Sequence, residues 1–364
     1  MVASLAGHLD RLGVSTRVLA LWPSGSRMPE SPPFAVPGSH SSKLVQNLGI
    51  SSSFSFFADL VDSLKETDLV HLHEVWHIPQ LCAAITSRVR GIPYVVSPHG
   101  ALAPWCMGQH RSLKRLAWSS YQKAILNGAG GVHALTPEER GDIRALGVRA
   151  AVTVIPNGID LDLVQDLITP EPHWPRHLVP FLQRFVLYLG RLDKKKGLDI
   201  LIEAFARIAS ANDEAALIVA GPDPDRLWPT HLRRISELNL AGRVTYAGFV
   251  DEPLKFQLLK RAELLVLPSK SEGMSMTILE ALACGTPVVI SPGCNLPQVD
   301  RARAGRIVPD SSEPLADSIL EILGDRPLRA LMAVNARQLA KREFSAATIA
   351  LQMHALYRSL AGRC

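Results

Sequence analysis

Cysteine is scarce in this chain, and the few present form no pattern. Five cysteines (Cys82, Cys106, Cys284, Cys294 and Cys364) are scattered over 364 residues without a C-x-x-C pair. An odd, dispersed set argues against a disulfide scaffold and fits a reducing, cytoplasmic setting. Long apolar runs are also missing: nothing approaches the roughly 18 consecutive residues that a membrane-spanning helix needs. The opening "MVASLAGHLDRLG" contains an Asp and has no charged n-region before an apolar core, so it does not read as a secretory leader. No internal repeat or heptad register is found.

What is present is ordinary globular material. Hydrophobic residues make up 47% and charged residues 20%, close to the average for folded domains. The length exceeds the size at which a single core stops growing, so two domains are expected. A net charge of +5 leans toward an anionic partner without naming one.

Short apolar runs alternate with helical patterns from end to end. Strands are expected at "TRVLAL" (16–21), "LVHLH" (69–73), "YVVS" (94–97), "GVHAL" (131–135) and "VTVIP" (152–156). In the second half they are expected at "FVLYLG" (185–190), "ALIVAG" (216–221), "VTYAGF" (244–249), "ELLVLP" (263–268) and "PVVIS" (287–291). Leu198, Leu201, Ile202, Phe205 and Ile208 fall on one helical face, and Thr136 can cap a helix opening on Pro137 and Glu138. Apolar strands separated by helices imply α/β architecture, with parallel sheets covered on both faces. "TPEPHWPRHLVP" (169–180) holds four prolines and no periodicity, as a linker would. Residues 22–54 carry five prolines and nine serines. A loop that long is either functional or disordered.

The densest chemistry lies in "SKSEGMSMTILEALACGTPVVIS" (269–291). A strand runs into a loop holding Glu272, then into a helix holding Glu280 and closed by Gly285. Ligands of open α/β sheets bind at such strand ends, where helix amides attract phosphate. Carboxylates ~12 Å apart along a helix axis could grip hydroxyls on either side of a diphosphate, as a nucleotide-sugar presents them. They could equally be a capping acid and a solvated helix residue. "LGRLDKKKG" (189–197) adds Arg191, a bidentate phosphate donor, and Lys196, a point charge. Lys194 and Lys195 read as a solvated run.

"GRLDKKKG", "PSKSEGMSMTILEALACGTPVV" and "VIPNGID" together resemble a family 4 glycosyltransferase of the GT-B fold. The likeness covers nearly the whole chain and is densest from 185 to 309. It implies two Rossmann-like domains facing a central cleft: an acceptor-side domain (1–168), a linker (169–183), a nucleotide-sugar domain (184–345) and a C-terminal helix (346–364) returning to the first domain. It also implies that Arg191, Lys196 and the turn Gly273, Met274, Ser275 and Met276 hold the donor diphosphate. Ser275 stands where family members commonly have Gly. Glu272 would bind the transferred sugar, Glu280 the ribose, and Gly248 and Phe249 would lie near the base. His99, in "VVSPHGAL", would be a second catalytic residue.

The expected reaction is hexose transfer with retention and without a metal, the substrate being a nucleotide-diphosphate sugar and no cofactor being required. The expected acceptor is a glycan or lipid diphosphate in exopolysaccharide or lipopolysaccharide assembly. No contact with nucleic acid is expected. From Ala101 to Gly131 acidic residues are absent, while Arg111, Lys114, Arg115 and Lys123 are basic and Trp105, Leu113 and Leu116 are apolar. Such a stretch can meet an anionic membrane peripherally or be a plain solvated helix. His71, His73 and His77 match no common zinc spacing. Three other readings stay open: a metal-dependent transferase using Asp160/Asp162 or Asp223/Asp225, a nucleotide-sugar 2-epimerase, and a non-catalytic nucleotide-sugar-binding subunit. Family members carry a strand and a glycine-rich loop before the helix that Val2, Leu5, Leu9 and Leu12 mark. The first domain is therefore expected to lack its first strand, with transfer weakened.

Overall fold

A computed structural model describes residues 1–20, 54–169 and 174–362. All but the last residue of the expected 22–54 loop lies outside the described residues. The chain forms two compact units, Met1–Gly158 with Ala346–Cys364, and Ile159–Ser345.

The first unit is built on four parallel strands: β1 (Val70–His73), β2 (Tyr94–Ser97), β3 (Gly131–Ala134) and β4 (Val152–Val154), in the order β1-β2-β3-β4. β2 and β3 are buried along their whole length, as parallel strands covered on both faces must be. Thr136 caps the Pro137–Ala145 helix, its Oγ1 accepting from the Glu139 amide at 3.1 Å. The Ala346–Ala361 helix belongs to this unit, where Ile349 and Met353 pack with Ile155 and Leu5.

"TRVLAL" is not a strand over residues 16–20, and Leu21 lies outside the described residues. A β-strand exists only through its ladder, and no described strand pairs with this segment. Asp10 instead takes Thr16 locally, accepting from its amide at 3.0 Å and its hydroxyl at 2.7 Å.

The second unit carries β5 (Phe185–Leu189), β6 (Ala216–Ala220), β7 (Val244–Gly248), β8 (Leu264–Leu267), β9 (Val288–Ile290) and β10 (Gly305–Ile307). All are parallel, in the order β10-β9-β8-β5-β6-β7. β10 has no sequence signature, because three residues with Arg306 at their centre offer no apolar run. In the Leu198–Ala211 helix, the five residues expected on one face are each at most 2% exposed. Each such burial is worth about 1.5–3 kcal/mol against leaving the side chain in water.

The first unit ends at Gly158, short of the boundary expected at 168. The Leu161–Ile168 helix goes with the second unit, where Val164 is buried and Gln257 Nε2 donates to the Leu167 carbonyl at 3.0 Å. Residues 174–183, expected as linker, also join that unit. Leu178 and Leu182 are buried, and Arg261 Nε donates to the Leu182 carbonyl at 2.8 Å.

Candidate active site

The strand order of the second sheet reverses between β5 and β8, and their carboxyl ends open the crevice where such sheets bind ligands. The loops leaving those two strands are 190–197 and 268–275, so the topology brings together segments far apart in sequence. Lys270 donates its amide to the Lys195 carbonyl at 2.7 Å, stitching one loop to the other. At Gly197 the chain is left-handed (φ 71°), and a Cβ there would stand 2.2 Å from the Pro268 carbonyl oxygen. Only glycine allows that approach.

The stitching places Lys196 Nζ 2.7 Å from Glu272 Oε1, with both side chains largely enclosed (14% and 9% exposed). Arg191 is more exposed and lies 3.0 Å from Asp193. Glu272 is braced by its backbone: its amide donates to the Gly293 carbonyl and Asn295 Nδ2 donates to its own carbonyl, each at 2.8 Å. Gly293 leaves room for this, since a Cβ would meet the Ser269 and Lys270 carbonyl oxygens at 2.5 Å.

The Met276–Cys284 helix starts at Ser275, whose side chain makes no capping hydrogen bond, and ends at left-handed Gly285 (φ 76°). Its first turn has no acidic residue, so the positive end of the helix dipole is not neutralised there. Gly273, Met274, Ser275 and Met276 form the entry to this turn. Glu280 lies one turn on from Met276, 2.8 Å from Lys255 Nζ. Burial raises the Glu280 carboxyl, the Lys255 ammonium pulls it back down, and Glu252 adds a smaller upward push. Lys255 carries no sequence signal: it reads as one more solvated charge on an amphipathic helix. At the end of β7, Gly248 is left-handed (φ 70°) and Phe249 is 77% exposed.

In the first unit, His99 follows β2 in a left-handed conformation (φ 53°), a strained state that a non-glycine residue adopts only where its surroundings hold it. Its Nε2 lies 2.9 Å from His73 Nδ1. His71 bridges Tyr357 OH at 2.5 Å and Ser97 Oγ at 2.6 Å, and Ser97 Oγ lies 2.6 Å from His133 Nδ1. His133 Nε2 donates to the Ile155 carbonyl at 2.7 Å. Burial holds all four imidazoles neutral, with His73 pushed down to about 3 and His99 to about 4. His73, His99 and His133 line a cavity of about 30 Å³ with Asn157 and Met353. Sequence reasoning missed Ser97, His133 and Tyr357. Their only signal was a polar residue inside an apolar strand or helix.

His77 stands apart from this cluster, 3.4 Å from Glu74. Among the described residues no group of three or more His, Cys, Asp or Glu converges to hold a metal ion. The leading aspartates of both Asp-x-Asp pairs are taken up by backbone amides. Asp160 caps the Leu161–Ile168 helix, accepting from the Leu163 amide at 3.1 Å, and Asp223 accepts from the Leu227 and Trp228 amides at 2.7 and 2.9 Å.

The basic stretch forms the short helices Pro104–Gly108 and Arg111–Ala117 before the chain continues to Lys123. Arg111, Leu113, Arg115 and Leu116 are exposed. Lys114 does not share that face. Its Nζ donates to the Cys106 carbonyl at 2.5 Å and sits 5.8 Å from the centre of the Trp76 ring.

Residues 176–339 match the family model described as Glycosyl transferases group 1, and residues 1–163 match Glycosyltransferase Family 4. The chain is similar to an alpha-D-kanosaminyltransferase of Streptomyces kanamyceticus, 32% identical over 48% of this chain and 45% of that protein. It is similar to a phosphatidyl-myo-inositol mannosyltransferase of Mycobacterium leprae, 27% identical over 83% of this chain and 75% of that one. The chain spans about half the length of several curated relatives that it matches. Among solved structures, Anabaena HepE in complex with UDP and glucose is 25% identical with a TM-score of 0.71, covering 90% of this chain and 86% of its own.

Proposed function

Because the chain belongs through both of its halves to the family 4, group 1 glycosyltransferases, we propose that it moves a hexose from a nucleoside-diphosphate sugar to a glycan or lipid-linked acceptor, with retention and without a metal ion. The observation carrying this reading is the crevice of the second sheet. There an ammonium and a carboxylate lie 2.7 Å apart beside a helix start, with a second carboxylate further along the same helix.

As the bond to the sugar breaks, negative charge builds on the departing diphosphate. Lys196, Arg191 and the amides of Gly273, Met274, Ser275 and Met276 are assigned to stabilise it. Glu272 is assigned the hydroxyls of the transferred sugar, Glu280 those of the ribose, and Gly248 and Phe249 the neighbourhood of the base. His99 is assigned to the acceptor-side unit's part in transfer. That both leading aspartates already accept from backbone amides favours the metal-independent form. The Anabaena complexes with UDP and UDP-glucose favour a uracil nucleotide as donor. The mycobacterial relative, named for a phosphatidyl-inositol, favours a lipid-linked acceptor. Arg111 and Arg115 beside exposed Leu113 and Leu116 suit peripheral contact with an anionic cytoplasmic membrane face. Surface-polysaccharide assembly is the setting we assign.

The test is a thermal-shift panel of nucleoside diphosphates and their sugars, followed by donor turnover with and without EDTA. A ligand at 100 times its Kd should stabilise by ~2.7 kcal/mol. Turnover abolished by EDTA and rescued by Mg²⁺ or Mn²⁺ would defeat the metal-free reading. Binding without transfer or hydrolysis would favour a binding subunit.

A further inference from the structure

Lys255 occupies an unfavourable place for a cation. It sits in the first turns of the Glu252–Arg261 helix, where the dipole is positive, and its side chain is only 19% exposed. The ammonium lies 2.8 Å from Glu280 Oε1, 3.8 Å from Glu252 Oε1 and 4.6 Å from the centre of the Phe256 ring. Glu280 has no other hydrogen-bond partner among the described residues, so Oε2 is left for a ligand. A pair this enclosed is weak evidence of a stabilising role, since apolar residues of similar volume fill such a place as well.

We propose that Lys255 is a positioning residue for nucleotide recognition: it fixes one oxygen of Glu280 and keeps the carboxylate charged, so that the other oxygen can accept from the ribose diol of a nucleoside diphosphate. The inference rests on the assignment of Glu280 to ribose. On the two helices, burial and Glu252 favour the neutral form of Glu280, and Lys255 opposes them. Removing the ammonium leaves nothing nearby on the two helices to hold the charge. A neutral carboxyl still bonds a hydroxyl, but more weakly than a carboxylate does.

The probe is whichever of UDP, ADP and GDP gives the largest thermal shift, titrated calorimetrically against the full chain from pH 6 to pH 8.5. In Lys255→Met, affinity should fall about five- to tenfold at the acid end and recover toward wild type at the alkaline end. Lys255→Arg should restore the wild-type profile. Inorganic pyrophosphate, which lacks ribose, should bind wild type and Lys255→Met alike. An equal affinity loss in Lys255→Met at every pH, or a parallel loss for pyrophosphate, overturns the proposal and leaves a structural cross-link or a direct phosphate contact. Should Lys255→Met not fold, Lys255→Gln takes its place with the same criteria. Glu280→Gln tests the parent assignment separately: unchanged nucleotide affinity in that variant removes the ribose reading whatever Lys255 does.

Discussion

Glu272 and Glu280 look alike in sequence but sit in different company. Glu272 is gripped by loop backbone and Lys196, while Glu280 rides a helix against Lys255. Their replacement should therefore separate binding from turnover. Glu280→Ala is expected to lower nucleoside diphosphate affinity roughly ten- to a hundredfold, the loss of about 1.5–3 kcal/mol for a bond to a charged group. Glu272→Ala should leave that affinity within a few-fold and reduce the rate of donor turnover. Titration and initial rates on the two variants decide it, and the reverse pattern would exchange the two roles. The sequence placed both carboxylates at a strand–loop–helix junction. It could not reveal that each has a lysine on one oxygen, because Lys196 and Lys255 arrive from other elements.

Elements are held in register here by contacts a methyl group would break. Gly197→Ala forces a Cβ into a left-handed residue and against the Pro268 carbonyl 2.2 Å away. The conformational strain alone is about 1–2 kcal/mol, so the variant should melt lower and bind nucleotide less tightly. Unchanged affinity in a folded Gly197→Ala would mean that the stitching of the two loops does not set the site. On the first unit, the Arg111–Ala117 helix exposes Arg111 and Arg115 but turns Lys114 to the Cys106 carbonyl. Reversing exposed Arg111 and Arg115 to Glu should weaken binding to anionic liposomes at low salt, each charge being worth about 1 kcal/mol near such a surface. Lys114→Glu should instead lower the melting temperature, because that ammonium serves the Cys106 carbonyl. Equal partitioning of wild type and Arg111→Glu/Arg115→Glu would make the helix an ordinary solvated one.

For the molecule as a whole, acid should be the weak side. His71, His73, His99 and His133 are all held below their ordinary value in the fold, so the unfolded chain takes up protons first. Their contribution to stability is complete above about pH 6.5 and is lost as pH falls toward 4. The slope is about 1.4 kcal/mol per pH unit for each histidine that stays neutral. Glu139 and Glu280, raised by burial, act in the opposite sense and offset part of the loss. Melting temperature measured from pH 7.5 to 5 should drop, and a flat profile would show that the cluster opens without cost. By itself the sequence determined the α/β class, all but one of the described strands, the buried face of Leu198–Ala211 and the loop bearing Glu272. Those properties follow from local periodicity, turn residues and motif spacing. Tertiary structure alone decided that "TRVLAL" forms no strand over residues 16–20, that β10 exists, and that the first unit ends at Gly158. It alone put Lys196 against Glu272, Lys255 against Glu280, and four histidines of two strands and a loop into contact. Strand pairing, strand order and ion pairing each depend on a partner distant in the chain, and no local pattern of residues names that partner.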